Sequence, residues 1–294
     1  MIYRKMNSLS SKKSKNRIKY LFFLAIFIIG AGILAFFKLK KPSVKPVENQ
    51  NNSADTEIKT ESIPKEQATK QIDLQPLVDD FIAKNSGNFG IKITDLSGNT
   101  LAKVNQNEQF FTASIYKLFV AFVGYQRIDD KTYSKDDPYL TGYTRWQCLD
   151  AMIRSSYSPC AEKMWNELGK DNITNEMRKL GLENTNLVGL NSTANDVVII
   201  LSKIANGEGL STESQQAYLS SMKDQDTKFR KGLPAGFANS IVYNKVGWDE
   251  DRLWADASII ELKNGQKIVV SVFAEGASSK TIANLGSAIE KALE

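Results

Sequence analysis

One stretch of this chain decides how the rest can be organised. Residues 20–37 form a run of eighteen uncharged, mostly apolar residues. This length is close to the ~20 residues that a helix needs to cross the hydrocarbon core of a bilayer. A buried helix of a soluble domain is the alternative, but apolar residues on all sides and basic residues at both ends favour a transmembrane anchor.

Basic residues around the apolar run predict its orientation. Seven Lys or Arg precede it and four follow closely, and cytoplasmic flanks carry the larger positive charge. Residues 1–19 are therefore predicted to be a basic cytoplasmic tail, with the rest of the chain extracellular. A cleavable signal peptide would end in an Ala-x-Ala-like site, and none follows residue 37, so we favour an uncleaved single-pass anchor in the cell membrane.

The segment after the anchor has the composition of a disordered linker. Residues 38–71 are rich in Lys, Glu, Asn, Gln, Ser, Thr and Pro and contain no aromatic residue, so they cannot bury enough surface to fold. A flexible coil of about 34 residues spans roughly 30 Å. We therefore expect residues 72–294 to form one folded domain held near the membrane.

Histidine is absent from the whole sequence. Its absence excludes Ser-His-Asp and Cys-His catalysis and every His-ligated metal site. Residues 1–41 hold ten Lys or Arg and no acid, so the rest carries 5 − 10 = −5 of the formal +5 charge. A mildly acidic folded part argues against a nucleic-acid-binding surface.

The two cysteines are too few for a zinc site by themselves. Cys148 and Cys160 enclose a short segment and could form one disulfide in an oxidising compartment. Two buried free thiols are the alternative. We predict no metal site and no cofactor.

Apolar periodicity predicts a helix-rich middle between two groups of strands. A helix from residue 74 precedes strands at 89–96 and 100–104, which a Ser-Gly-Asn turn joins. Further helices are predicted near 145–155, 160–169, 172–181, 193–206 and 211–223, then strands near 241–248, 253–262 and 266–274 and a helix from about 279. This order indicates an α+β fold with α/β/α layers, in which helices flank an antiparallel sheet and add a helical subdomain.

Ser114 and Lys117 form a Ser-x-x-Lys pair at the start of an apolar helical segment. Residues i and i+3 share one face of a helix, and unpaired N–H groups at a helix N-terminus favour negative charge on an attacking oxygen. Apolar neighbours such as Phe111, Tyr116 and Leu118 should lower the pKa of the lysine toward the range where it can accept a proton from serine. The pair therefore predicts a serine nucleophile with a lysine base.

Spacing alone is weak support for this pair. The same spacing occurs at Ser10/Lys13, Ser62/Lys65 and Ser220/Lys223. These lie in the basic tail, the linker and an ordinary amphipathic helix, whereas Ser114 opens an apolar helix. Serine is also a preferred helix-capping residue, so a plain N-cap is the alternative role for Ser114.

Two later segments strengthen the nucleophile hypothesis. Ser156-Tyr-Ser158 lies at a predicted junction between two helices, and Lys245-Val246-Gly247 lies on a predicted strand after a Leu-Pro-Ala-Gly turn. A lysine and a glycine on an edge strand can offer a cation and free backbone groups to an extended substrate. Taken singly, the serines could be helix caps and Lys245 a solvated strand lysine.

In this order, the three motifs and the turn resemble the penicillin-recognising serine hydrolases, and most of all the catalytic domain of class A β-lactamases. The resemblance covers residues 72–294. It implies a β-lactamase/transpeptidase-like fold in which Ser114 is acylated and Lys117 is its base or proton relay. It also implies that Ser156 passes a proton to the leaving nitrogen with help from Lys245, and that the N–H groups of Ser114 and Trp248 form the oxyanion hole.

Three departures from that family pattern affect the expected substrate contacts. Val246, which the resemblance places with Gly247 at the substrate, replaces a hydroxyl that helps to bind the substrate carboxylate, so carboxylate recognition is expected to weaken or to pass to another cation such as Arg230 or Arg252. Tyr157 and Ser158 replace Asp and Asn, which removes an amide expected to hold the side-chain carbonyl of the substrate and leaves Ser158 at that substrate-binding position. The segment 187–195 contains no acid, whereas class A enzymes carry in a longer loop the glutamate that activates the deacylating water.

We therefore expect an extracytoplasmic, membrane-anchored, monomeric serine hydrolase that β-lactams acylate and that deacylates slowly. A peptidase or transpeptidase acting on cell-wall peptides ending in D-Ala-D-Ala is the first alternative. A pseudoenzyme that only binds cell-wall peptide in the same cleft is the second.

Overall fold

The computed structural model of the protein describes residues 72–250 and 252–294. The predicted tail, anchor and linker of residues 1–71 lie outside the described residues. In the part of the chain that is described, no helix is long and apolar enough to cross a membrane.

Five antiparallel strands form the main sheet, in the order β2-β1-β9-β8-β7. Two short pairs, β3 with β6 and β4 with β5, lie outside it. The strands are β1 (Asn88–Asp95), β2 (Thr100–Val104), β3 (Phe110–Phe111), β4 (Pro138–Leu140), β5 (Tyr143–Thr144), β6 (Asn191–Ser192), β7 (Ile241–Asp249), β8 (Leu253–Glu261) and β9 (Lys267–Glu275). Since β7 pairs only with β8, β7 is an edge of the main sheet.

Helices cover both faces of this sheet. They are α1 (Gln75–Lys84), α2 (Tyr116–Asp129), α3 (Arg145–Arg154), α4 (Ser158–Leu168), α5 (Lys170–Lys179), α6 (Ala194–Asn206), α7 (Thr212–Lys223), α8 (Leu233–Gly236) and α9 (Ser279–Leu293). One apolar core lies between the sheet and α1, α8 and α9, and a second joins the opposite face to α2 through α7. Strands β8 and β9 are buried along almost their whole length because both of their faces are covered.

Helix α2 is the centre of the helical subdomain. Eleven of its fourteen residues are buried, from Tyr116 to Tyr125 and at Ile128, so apolar side chains surround it on nearly all sides. A helix that is apolar all round belongs inside a domain, and α2 is packed in this way with the Ser114 turn at its start.

The predicted α+β fold with a helix-flanked antiparallel sheet is confirmed. The predicted long elements are all present, with boundaries within a few residues. Short strands such as β3 and β6 were not predicted, because two residues carry no periodicity that a sequence pattern could reveal.

Candidate active site

Ser114 lies in a tight turn that leads into α2. The turn is a 3-10 helix, Ala113–Ile115, and the N–H of Ile115 donates to the carbonyl of Thr112 at 2.9 Å. Ala113 has a φ of 42°, which is unusual for a residue with a side chain and costs about 1–3 kcal/mol. The predicted position of Ser114 at the start of a helix is therefore correct, but the first turn is tighter than an α-helix.

The neighbouring loop holds this turn from behind. The backbone N–H of Thr112 donates to the carbonyl of Leu190 at 2.7 Å, and the Thr112 hydroxyl donates to the same oxygen at 3.0 Å. Leu190 also has a positive φ, of 54°. The acid-free segment 187–195, in the loop between α5 and α6, thus lies directly against the turn that carries Ser114.

Edge strand β7 approaches the turn from the other side. A Cβ added to Gly247 would lie 2.6 Å from the Thr112 carbonyl oxygen and 2.8 Å from Cγ1 of Ile115. Only a residue without a side chain permits this approach. The predicted need for a glycine at this position is thus explained, and the next residue, Trp248, follows it along the edge strand.

Lys117 points into the protein toward the junction of α3 and α4. It is 1% exposed, and its Nζ donates to the Ser156 carbonyl at 2.6 Å, the Ser156 hydroxyl at 3.2 Å and the Ser158 hydroxyl at 3.1 Å. Among the hydrogen bonds of residues 72–250 and 252–294, none joins Lys117 to the Ser114 hydroxyl. In the described residues, Lys117 therefore bonds to Ser156 and Ser158 and not directly to Ser114.

Ser156 connects the two lysines of the site. It lies between α3 and α4 with a φ of 53°, a conformation that needs support from its surroundings. Lys245 is fully buried on β7, and its Nζ donates to the Ser156 hydroxyl at 3.1 Å and to the Val246 carbonyl at 2.9 Å. The hydroxyl of Ser156 thus lies within hydrogen-bond distance of two ammonium groups.

Burial makes both lysines weaker bases than usual. It lowers the pKa of Lys117 from 10.5 to about 8, a shift that the charge of Glu162 opposes. It lowers the pKa of Lys245 well below 10.5, and the nearby charge of Lys117 lowers it further. A substantial share of Lys117 is therefore neutral at mildly alkaline pH, when it can accept a proton.

The predicted substrate-binding residues differ in whether their side chains are accessible from the cleft. The Ser158 hydroxyl lies at the exposed start of α4 and bonds to Lys117. The side chain of Val246 is 1% exposed and belongs to the core on the α8 and α9 side of the sheet. Side chains alternate between the two faces of a strand, so Val246 points away from Lys245 and presents only its backbone to the cleft.

The two arginines predicted to bind the substrate carboxylate differ in burial and in their hydrogen-bond partners. Arg230 is half-buried, and its guanidinium donates to the carbonyls of Lys223 and Val242 and to the side chain of Asn244, at 2.8–3.1 Å. These bonds use the guanidinium of Arg230 to hold its loop against β7. Arg252 is exposed, pairs with Asp249 in the turn between β7 and β8, and lies 5.9 Å from the ring centre of Phe111.

Two exposed aromatic side chains and one partly buried one lie on the segments that carry the site residues. Trp248 is 49% exposed and lies 6.0 Å from Trp254, and Phe111 is 38% exposed on β3. Tyr157 stacks on Tyr143 at 5.5 Å. At position 157, where the resemblance described above implies an acid, this chain thus has a tyrosine that stacks on Tyr143.

Sequence reasoning missed a buried polar group behind β7. Asp256 is 1% exposed on β8, and the side chain of Asn244 donates to it at 3.3 Å. The signal was an acid in the middle of an otherwise apolar strand, Leu253–Glu261. Such a residue is rarely buried unless it has partners.

A disulfide closes the junction that carries Ser156. Cys148 on α3 and Cys160 on α4 are bonded, with their Cα atoms 5.1 Å apart. The bond joins the two helices on either side of the junction. It therefore restricts how far the helices that flank Ser156 can separate.

We expect the denatured, unreduced protein to contain no thiol that reacts with maleimide, and two after reduction. Closing a loop of about 13 residues stabilises by roughly 3 kcal/mol in the chain-entropy model, so a Cys148→Ala/Cys160→Ala double variant should unfold at a lower urea concentration. The double variant, which has no thiol, is the blank. Two reactive thiols before reduction would contradict the pairing.

The main sheet, the helical subdomain and the position of the Ser114 turn define a serine β-lactamase-like fold. The family model of the beta-lactamase enzyme family matches residues 73–293, so the chain belongs to this family. No curated protein matches the chain.

Several solved structures share this fold at low sequence identity. A beta-lactamase from Chitinophaga pinensis is 19% identical, with a TM-score of 0.68, covering 74% of this chain and 98% of its own. PBP-A is 20% identical to this chain with a TM-score of 0.67, and the match covers 75% of this chain and 95% of PBP-A. A PBP-A variant, described as an acyl-enzyme complex with penicillin G, is 21% identical to this chain with a TM-score of 0.67. The match covers 75% of this chain and 96% of the variant.

Proposed function

We propose that the protein is an extracytoplasmic, membrane-anchored serine hydrolase that β-lactams acylate at Ser114 and that deacylates slowly. The observation that carries this proposal is the Ser156 hydroxyl, which lies 3.2 Å from Nζ of Lys117 and 3.1 Å from Nζ of Lys245. Two buried amines around one hydroxyl, next to a turn that carries a serine, form a proton relay without histidine. The family of the chain supports the same chemistry.

In the proposed reaction, the Ser114 oxygen attacks the carbonyl carbon and neutral Lys117 takes up the hydroxyl proton. Negative charge then develops on the carbonyl oxygen, and the N–H groups of Ser114 and Trp248 stabilise it. The carbon–nitrogen bond breaks while Ser156 donates its proton to the leaving nitrogen and receives one from Lys117. The ammonium of Lys245 supports this transfer electrostatically.

Arg252 is the proposed partner of the substrate carboxylate. It is exposed near Trp248 and Phe111 and pairs with Asp249 at the surface, whereas three hydrogen bonds to the protein hold the half-buried Arg230. An arginine can bind a carboxylate through two parallel hydrogen bonds. A β-lactam and a peptide ending in D-Ala-D-Ala both carry such a carboxylate, so a cell-wall peptidase or transpeptidase is the second candidate function.

A pseudoenzyme that only binds cell-wall peptide is the contrasting proposal. The buried pair of lysines argues against it, because placing two amines in a dry interior is costly and binding alone does not need it. Covalent labelling distinguishes the two proposals.

Intact-mass measurement after incubation with penicillin tests the proposed function. Wild type should gain the mass of one penicillin, and Ser114→Ala should gain none. Ser220→Ala is the matched control, since Ser220 and Lys223 have the same spacing on the exposed side of α7. Absence of labelling in wild type, or equal labelling in Ser114→Ala, would contradict acylation at this serine.

Protease added to intact cells should release a fragment that begins within residues 38–71. The reason is the uncharged run at 20–37 with its larger positive charge on the N-terminal side, followed by a polar segment. Immunoblotting with an antibody against the C-terminal domain checks this result. Protection in whole cells with cleavage in lysates would reverse the proposed topology.

A further inference from the structure

Asp256 is a buried carboxylate that the proposed reaction does not use. Its Oδ2 accepts a hydrogen bond from the backbone N–H of Leu233 at 3.0 Å, and its Oδ1 accepts one from the Ser258 hydroxyl at 3.0 Å and one from Asn244 at 3.3 Å. The chain at Gly232 closes over it, since a Cβ there would lie 2.4 Å from Oδ2. The carboxylate is thus held in one position.

Asp256 and Lys245 lie on opposite faces of the same two strands. Asp256 is directly opposite Val246 in the β7–β8 register, and Lys245 is opposite Ala257. Side chains alternate along each strand, so Asp256 faces α8 whereas Lys245 faces the cleft. Both side chains are buried, so no bulk water screens the charges across the sheet.

Within residues 72–250 and 252–294, no acid is among the hydrogen-bond partners of Lys245 on the cleft side. Its Nζ donates to two uncharged oxygens, those of Ser156 and Val246. The nearby ammonium of Lys117 makes its charge less favourable, and the carboxylate of Asp256 makes it more favourable. Among the described residues, the acid that favours the charged form of Lys245 is therefore Asp256, on the opposite face of the sheet.

Asp256 itself changes charge near neutral pH. Burial raises its pKa to about 7, although hydrogen bonds from Ser258, Leu233 and Asn244 and the charge of Arg230 oppose the rise. In the described part of the chain, α8 contains no titratable side chain and the β9 partner of Asp256 is Val272, so Arg230 is the charged side chain whose effect on Asp256 is resolved.

We propose that Asp256 is a positioning residue that keeps Lys245 in its ammonium form, acting through the sheet as the counter-charge of that lysine. Above about pH 7 the ionised carboxylate supports the cation that assists Ser156. At lower pH, Asp256 is protonated and this support is lost. The inference rests on the proposed acylation of Ser114.

The test compares acylation rates of wild type and Asp256→Asn with a chromogenic β-lactam over about pH 5.5–9.5. Below about pH 6 the two proteins should agree within about twofold, because wild-type Asp256 is then protonated. The acylation rate of wild type divided by that of Asp256→Asn should rise as the pH passes about 7. This ratio should reach about tenfold, the change that one pKa unit at Lys245 produces. Lys117 titrates near pH 8 in both proteins, so the change assigned to Asp256 is the one centred near pH 7. A ratio that does not change with pH would overturn the inference.

Ser258→Ala is a second variant in case Asp256→Asn does not fold. It removes one hydrogen bond that favours the ionised carboxylate, so Asp256 should ionise at higher pH. The ratio of wild type to Ser258→Ala should exceed one only in a window above about pH 7 and return to one at the alkaline end. A flat ratio would overturn the inference independently of Asp256→Asn.

Glu290→Gln is the matched control. Glu290 is also a buried carboxylate, and it accepts hydrogen bonds from the backbone N–H groups of Ala238 and Asn239. Losing it should lower the unfolding temperature without changing the shape of the pH profile. A wild type that is not acylated at all would refute both the proposed function and this inference, whereas labelled wild type with flat ratios refutes the inference alone.

Discussion

Mixing the protein with nitrocefin is expected to give a rapid burst of about one product molecule per enzyme, followed by slow steady-state turnover. Acylation requires Ser114, a base and an oxyanion hole. Hydrolysis of the acyl-enzyme also requires a water that is positioned and activated. General-base assistance is typically worth ~10²–10⁴ in rate, so deacylation without a dedicated acid should be slower by about that factor.

The loop behind the Ser114 turn gives the structural reason. Between residues 187 and 195 it contains no acidic side chain, and its backbone is tied to Thr112 through Leu190. The next acid along the chain, Asp196, is 1% exposed and accepts hydrogen bonds from the N–H of Asn184 and the hydroxyl of Thr185. Both bonds end on Oδ2 and hold the base of the loop together, and the burial of Asp196 keeps its carboxylate away from bulk water.

Stopped-flow absorbance and steady-state rates on the same enzyme preparation measure the two steps separately. Ser114→Ala is the blank and should show neither burst nor turnover. Intact mass during the steady state should show most of the enzyme acylated. Turnover as fast as in efficient β-lactamases, with no detectable acyl-enzyme, would show that the short loop does not limit deacylation.

The fold could be predicted from the sequence because its long elements have clear periodicities. Alternation along 89–96 and around 241–274 predicted the sheet, and helical spacing predicted most helices. The Ser114 turn was predicted as the start of a helix, but its 3-10 geometry and the positive φ of Ala113 were not. The turn has tertiary contacts, from Thr112 to Leu190 and from Gly247 to Thr112 and Ile115, which no local pattern encodes.

Site residues were named from their spacing, but their partners were not. Sequence spacing suggested that Lys117 acts directly on Ser114, whereas in the structure it bonds to Ser156 and Ser158. Val246 was expected at the substrate, yet its side chain faces the core, because strand alternation places it on the face opposite Lys245. Asp256 was missed since its relation to Lys245 depends on a register that only pairing across β7 and β8 creates.

Replacing Lys117 with methionine should lower the acylation rate by ~10²–10⁴ and remove its rise with pH. In wild type, neutral Lys117 is the proposed base, and its pKa is about 8 because burial disfavours the charged form. The wild-type rate should therefore increase as pH rises through about 8, when the ammonium loses its proton. Methionine is similar in length to lysine and uncharged, so it fills the site without a base.

Rapid-quench mass spectrometry with penicillin across about pH 6–10 measures this change. Lys103→Met, on the exposed side of β2, is the matched control and should keep both the rate and the pH profile. Glu162→Gln provides an independent check, because the charge of Glu162 raises the pKa of Lys117. Without that charge the rise in rate should move to lower pH. A Lys117→Met variant that retains the wild-type profile would show that another group accepts the proton of Ser114.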